Sequence, residues 1–170
     1  AAAAQQKAAQ VVTVLADALK ACKAARLPQA LLRAFMAQMV RAVDVLVLNA
    51  LLTRQEFCCC GTGFALRVAT SGLEAWLQRD PDTAPARKQL RHVREAANFF
   101  VMDKDILADA AASAAAFSSL NTAQLARLLE YYHPDELSSA SVDSALVREL
   151  SAKARAAADC PVQLDPLELI

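Results

Sequence analysis

Cys58, Cys59 and Cys60, followed by Gly61-Thr62-Gly63, form the densest cluster of reactive side chains in this sequence of 170 residues. A structural zinc takes about four ligands around a tetrahedron, normally as two separated pairs, and three adjacent residues cannot readily aim three thiolates at one ion. His92 and His133 stand singly, and Cys22 and Cys160 have no partner at ligand spacing, so no metal site is expected. A redox dithiol wants Cys-x-x-Cys near a helix start, and the triplet lacks that spacing. What remains is a peroxide-reactive thiol or, more simply, small apolar residues filling the exit of a helix. Gly61-Thr62-Gly63 lacks the Gly-Lys-Ser/Thr, the preceding strand and the third glycine of phosphate-binding loops. A hydrolytic triad would need a histidine near Ser and Asp. His92 falls on a charged helix flank and His133 beside the helix-ending Pro134, which predicts solvated or capping roles. The acids are scattered singly over helix surfaces, so no catalytic constellation and no cofactor site is expected.

The elements that must position these residues are helical. The chain is 56% apolar with alanine its commonest residue, and its three glycines all lie between Gly61 and Gly72. Strand-rich folds need turn residues at short intervals, which this chain lacks. An all-α fold is predicted: an antiparallel bundle of about six to seven helices around a long central helix, about 28–57. Net charge is zero, from 18 basic and 18 acidic residues, which argues against a nucleic-acid partner. Five cysteines, three of them adjacent, cannot form an orderly disulfide framework, and a reducing, cytoplasmic setting is expected. The opening Ala-Ala-Ala-Ala, with no Met, suggests a segment of a longer protein. The run "AFMAQMVRAVDVLVLNALL" is interrupted by Gln38, Arg41, Asp44 and Asn49. Two ionisable groups in one span would cost about 2.5–3.5 kcal/mol each, so a core helix is expected rather than membrane insertion.

Along the chain, residues 1–10 are a low-complexity Ala/Gln lead-in. Residues 11–158 form the domain, and 159–170 a tail that docks back on the bundle. Val11, Val14, Leu15, Ala18 and Leu19 line one side of the first helix, which Leu27-Pro28 ends. On the central helix, Leu32, Phe35, Met36, Met39, Val43, Leu46 and Ala50 form one apolar face, with Val45, Leu48 and Leu52 on a second. Cys58 to Ala69 reads as a connector in which Gly61 and Gly63 allow a reversal. Ser71 with Glu74 then has capping-box spacing for a short helix. Helices follow over about 86–102 and 105–117. Asn121 with Gln124 repeats the capping-box spacing before a helix ending at His133-Pro134. Ser141 caps a last helix with Val142, Leu146 and Leu150 inward.

Two features read as docking surface. Arg87, Arg91, Arg94 and Asn98 follow steps of four, three and four along one helix, a ridge that is either solvated or meets an acidic partner. Phe99 lies off the Leu90–Val93–Phe100 stripe and either meets a second helix or is exposed at an interface.

The succession "LPQALLRAF", "VLVLNALLTRQEFCCCGTG", "LEAWL", "LRHVREAANFFV" and "NTAQLARLLEYY" resembles the dilute (DIL) domain. That domain is the C-terminal half of the globular tail of class V and class XI unconventional myosins. The resemblance runs from about Val11 to Leu150, and the spacing around Leu27-Pro28 is closer to the plant and algal class XI type. It implies a non-catalytic helical bundle that binds cargo adaptors and Rab-type small GTPases and can fold back on the motor head. It further implies a parent dimerised by an upstream coiled coil, at the actin cytoskeleton with vesicles or organelles, and cysteines that are structural. Carried over residue by residue, the GTPase surface falls at Val68, which is not aromatic as in some relatives, and at Glu95 or Asn98. A junctional scaffold of the afadin type also contains a dilute domain and is the alternative; a thiol-based redox sensor is a remoter one.

Overall fold

A computed structural model describes residues 2–139, 142–156 and 161–166, with side chains from Gln6 onward. The helices are α1 (Ala2–Ala24), α2 (Gln29–Thr53), α3 (Cys60–Leu77), α4 (Arg91–Val101), α5 (Ala110–Ala116), α6 (Thr122–Tyr131) and α7 (Ser144–Ala156). Short 3-10 turns occupy Gln55–Phe57, Ala84–Leu90 and Lys104–Ala108. No strand occurs among the described residues; the one extended pairing is an isolated bridge between Asp135 and Ser138. The all-α expectation holds.

The core has two parts joined through α2. Leu15, Cys22, Leu32, Met36, Val40, Leu73, Leu77 and Leu90 bring α1, α2, α3 and the 84–90 turn together. Leu48, Leu51, Leu52, Phe99, Phe100, Phe117, Leu128 and Leu150 bring α2, α4, α6 and α7 together. Burying each large side chain is worth about 1.5–3 kcal/mol, and this removal of apolar surface from water is what assembles the bundle. By length and hydropathy α2 could cross a membrane, yet it is the strut on which both halves of the core rest.

The buried stripe of α2 is Leu32, Met36, Val40, Arg41, Asp44, Val45, Leu48, Leu51 and Leu52. The face expected inside is therefore partly outside, with Phe35 43% and Leu46 58% exposed. Polar residues on a helix normally mark its solvent side. Here Asp44 is turned inward and satisfied there, which rotates the true core stripe away from the one the apolar pattern favours. Val14 of α1 is likewise exposed while Leu15 is buried.

The predicted connector over Cys58–Ala69 is helix: α3 begins at Cys60, and Ser71 lies exposed in its middle rather than at a start. Gly63 makes no reversal. A Cβ there would sit 2.7 Å from Phe100 Cβ and 3.0 Å from Ala97 O, so the missing side chain lets α3 press against α4. The helix expected over 86–102 is a 3-10 turn leading into α4, and the one over 105–117 is a 3-10 turn followed by α5. Asn121 and Gln124 form the expected capping box, with Gln124 N–H donating to Asn121 Oδ1 at 2.8 Å and Asn121 N–H to Gln124 Oε1 at 3.0 Å. Leu146 and Leu150 are buried. Ser141 lies outside the described residues; Asp143 Oδ1 accepts from Ala145 N–H at 2.8 Å.

Cys59 before α3 and Leu90 before α4 give their helices no side-chain cap. In both cases a carboxylate from far along the chain supplies the acceptor. Asp135 Oδ2 accepts from Gly61 N–H at 2.6 Å, and Asp44 Oδ1 from Val93 N–H at 2.8 Å. Unsatisfied N–H groups and the helix dipole both favour an anion there. The Gly61 N–H is the main cause that holds the Asp135 carboxyl below its ordinary value.

Candidate functional site

His92 is not on a solvated flank. It is buried at the start of α4, where Nδ1–H donates to Asp44 Oδ2 at 2.6 Å. The pair is structural: Asp44 is fully enclosed, and one carboxylate joins α2 to the α4 backbone and to the imidazole. His133 is held by its main-chain N–H, which donates to Cys58 O at 3.0 Å, while its imidazole Nδ1 lies 3.3 Å from Tyr131 O at the end of α6.

The cysteines fill the α2–α3 corner. Cys58 is fully buried, with Sγ donating to Leu51 O at 3.3 Å, and burial pushes its thiol up to about 12. A thiol so raised yields almost no thiolate near neutrality, the opposite of a peroxide-sensing cysteine. Burial also raises the Cys60 thiol. Above pH 9 the unfolded chain releases the Cys58 proton that the folded chain keeps, so stability falls between about pH 9 and 12. Native alkylation at pH 8 should leave Cys58 unmodified until the chain is unfolded. Labelling of Cys58 at the rate of a free thiol would contradict that placement. No group of three or more His, Cys, Asp or Glu able to hold a metal occurs among the described residues.

The proposed docking residues separate into those on the surface and those that are not. Arg87, Arg91 and Arg94 are exposed and Asn98 half-exposed, although Arg87 stands on the 3-10 turn and the others on α4. Arg94 meets Glu74 of α3, with Nη2 to Oε1 at 2.5 Å. Val68 on α3 is 52% exposed. Phe99 is a correction: it is fully buried, edge-to-face against Phe100 at 5.6 Å and Phe117 at 5.9 Å, because α4 is covered on two sides. Glu95 is also engaged internally. Its carboxylate accepts from Ser119 N–H at 2.8 Å, Leu120 N–H at 3.0 Å and Ser118 Oγ at 3.1 Å, ordering the loop before α6.

Arg94 and Asn98 share a cleft of about 220 Å³ between α3 and α4 with Arg67, Thr70, Ser71 and Glu74. Arg67 and Ser71 are one turn apart and so face the same way; reading 58–69 as a connector hid that signal. The cleft offers guanidinium, hydroxyl and amide groups together with the Glu74 carboxylate that Arg94 already engages, and Phe64 and Val68 are exposed on the same helix α3. It suits a carboxylate-bearing protein surface and has no nucleophile–base pair. A larger groove of about 530 Å³ between α1, α2 and α3 is lined by such residues as Val11, Val43, Leu46, Ala50, Ala65 and Leu66. Its walls are almost wholly apolar, without the convergent titratable groups of a reaction site.

The model of the DIL domain family matches residues 34–136, from the middle of α2's first half through the bridge after α6. The chain belongs to the DIL domain family. The chain is 30% identical to unconventional myosin-Vb of Homo sapiens over 127 residues, covering 74% of this chain. It is 29% identical to unconventional myosin-Va of Rattus norvegicus over 133 residues, covering 77%. Both matches span only 7% of the relative's length. Among solved structures, the fold superposes on Myo2-GTD in complex with Inp2 with a TM-score of 0.80 at 18% identity, over 94% of this chain and 41% of that one. Myo2-GTD in complex with Mmr1 gives 0.81 at 18% identity over the same shares. The yeast myosin 5 cargo binding domain gives 0.81 at 19%, over 94% of this chain and 42% of that one.

Proposed function

We propose that this DIL domain is a non-catalytic cargo-binding module of an unconventional myosin tail, and that the α3–α4 face is where partners meet it. Membership of the DIL family supports this reading, as do the structural neighbours in which Myo2-GTD is in complex with Inp2 and with Mmr1. The observation that carries it is the cleft itself, with Arg67, Ser71, Arg94 and Asn98 converging beside exposed Val68 and flanked by Arg91. A rigid helical surface with a polar, mostly basic rim orients an acidic partner and speeds its encounter. Adaptor proteins and Rab-type GTPases are the partners proposed, with the parent's own motor head as a further one. The parent would be a dimer through an upstream coiled coil, acting in the cytoplasm between actin and vesicles or organelles.

Charge reversal by Arg91→Glu together with Arg94→Glu tests the reading. An exposed pair such as Arg94–Glu74 is worth about 0–1 kcal/mol, so the double variant should stay folded. Binding of proteins captured by the parent domain should fall at least about ten-fold, as expected when opposed charges are replaced by like charges. Undiminished capture by a folded double variant would refute the assignment.

A further inference from the structure

Residues 161–166 lie against the body, bent at Val162 and Gln163 and turning at Pro166, and are alternately exposed and half-buried from Pro161 to Pro166. Side-chain amides of the body hold the backbone of this strip. Asn49 makes a two-point clasp with Leu164, Nδ2–H donating to Leu164 O at 2.7 Å and Oδ1 accepting from Leu164 N–H at 3.0 Å. Gln124 Nε2–H donates to Val162 O at 3.2 Å, and Asn121 Nδ2–H to Pro161 O at 2.9 Å. Gln124 is 1% exposed, so it is a buried polar group aimed at the strip. Val162 and Leu164, both half-buried, pack against the α2–α4–α6–α7 core.

We propose that this surface, formed by Asn49, Asn121, Gln124 and the apolar side chains beside them, is a channel for a partner segment of the form proline–aliphatic–any–aliphatic, which the chain's own residues 161–164 occupy in cis. The hydrogen bonds read main chain, and the two apolar seats read aliphatic side chains two positions apart. Side-chain amides of the body thus take the part that a sheet edge plays in strand addition. The bonds described between the body and residues 161–164 involve no charged side chain of the strip. A tethered occupant competes at an effective concentration in the millimolar range, so a partner is admitted only when the strip is released or outcompeted. The channel shares no residue with the α3–α4 cleft, so the two assignments fail separately.

The test uses the full chain carrying Val162→Asp and Leu164→Asp, which ejects the strip, and a fluorescent, end-capped peptide of residues 161–166. With folding verified by circular dichroism, the ejected chain should bind the peptide at least about ten-fold more tightly than the parent, through relief of the tethered competitor. Asn49→Ala in the ejected background should weaken binding about ten-fold, the equivalent of one to two hydrogen bonds, while Arg94→Glu should leave it unchanged. Equal binding to parent and ejected chains, or indifference to Asn49→Ala, would overturn the proposal. Should the ejected chain fail to fold, excess peptide is added to the parent. Faster exchange of the Leu164 amide hydrogen supports the proposal, and unchanged protection overturns it. A concentration-dependent dimer that the peptide dissociates would place a second copy's strip in the channel and overturn the assignment to a different protein.

Discussion

Replacement of Asp44 by Ala should destabilise the domain by about 3–5 kcal/mol, the usual cost of removing one partner from a buried, hydrogen-bonded pair. The carboxylate is fully buried and accepts from both His92 and the Val93 N–H, so its loss strands two donors away from water. For a domain of this size that corresponds to a fall in melting temperature of roughly 6–20 °C. Asp44→Asn, which keeps one acceptor oxygen, should lose much less. Combining Asp44→Ala with His92→Leu should cost less than the sum of the two single losses, because both disturb one contact. Thermal melts of the four chains decide the point. An Asp44→Ala chain within about 1 kcal/mol of the parent would contradict the role given to this pair.

Phe99→Ala is the second large effect, at about 3–5 kcal/mol for a buried aromatic truncated in a packed core. The ring contacts Phe100 and Phe117 edge-to-face, and Lys104 Nζ stands 5.4 Å from its centroid, so three elements lose a shared partner at once. Denaturant unfolding measures this directly. The outcome separates two roles, because a surface Phe would leave stability intact and reduce partner binding. A stable Phe99→Ala chain with weakened capture would restore the interface role that burial excludes.

What the sequence conveyed well was local. The Asn121–Gln124 capping box, the Leu27-Pro28 break and the Leu146–Leu150 inward spacing are set by residues within a few positions of one another, and each is present. What it conveyed poorly depends on residues far apart. The start of α3 at Cys60 carries no local cap because Asp135 supplies one, so the Ser71–Glu74 spacing put the N-cap twelve residues too late, at Ser71 instead of Cys59. The orientation of α2 turned on Asp44, whose partners lie 48 and 49 positions away. An acid in the middle of an apolar helix is a signal that something must answer it inside. The same non-locality misplaced His92 on the surface and left Phe99 undecided. Of the proposed docking residues, Arg87, Arg91, Arg94, Asn98 and Val68 are open to solvent, whereas Glu95 is engaged with the loop before α6. Helical spacing finds a polar ridge, but not which of its members a neighbouring loop has already taken.

Hydrogen–deuterium exchange of the domain, with and without a captured partner, most directly tests whether binding belongs to the outward α3–α4 face. The account predicts slowed exchange concentrated in the segments 64–75 and 87–98 when partner is present, with the core of α2 unchanged. Protection confined to the apolar α1–α2–α3 groove, with both of those segments exchanging as in the free domain, would contradict it.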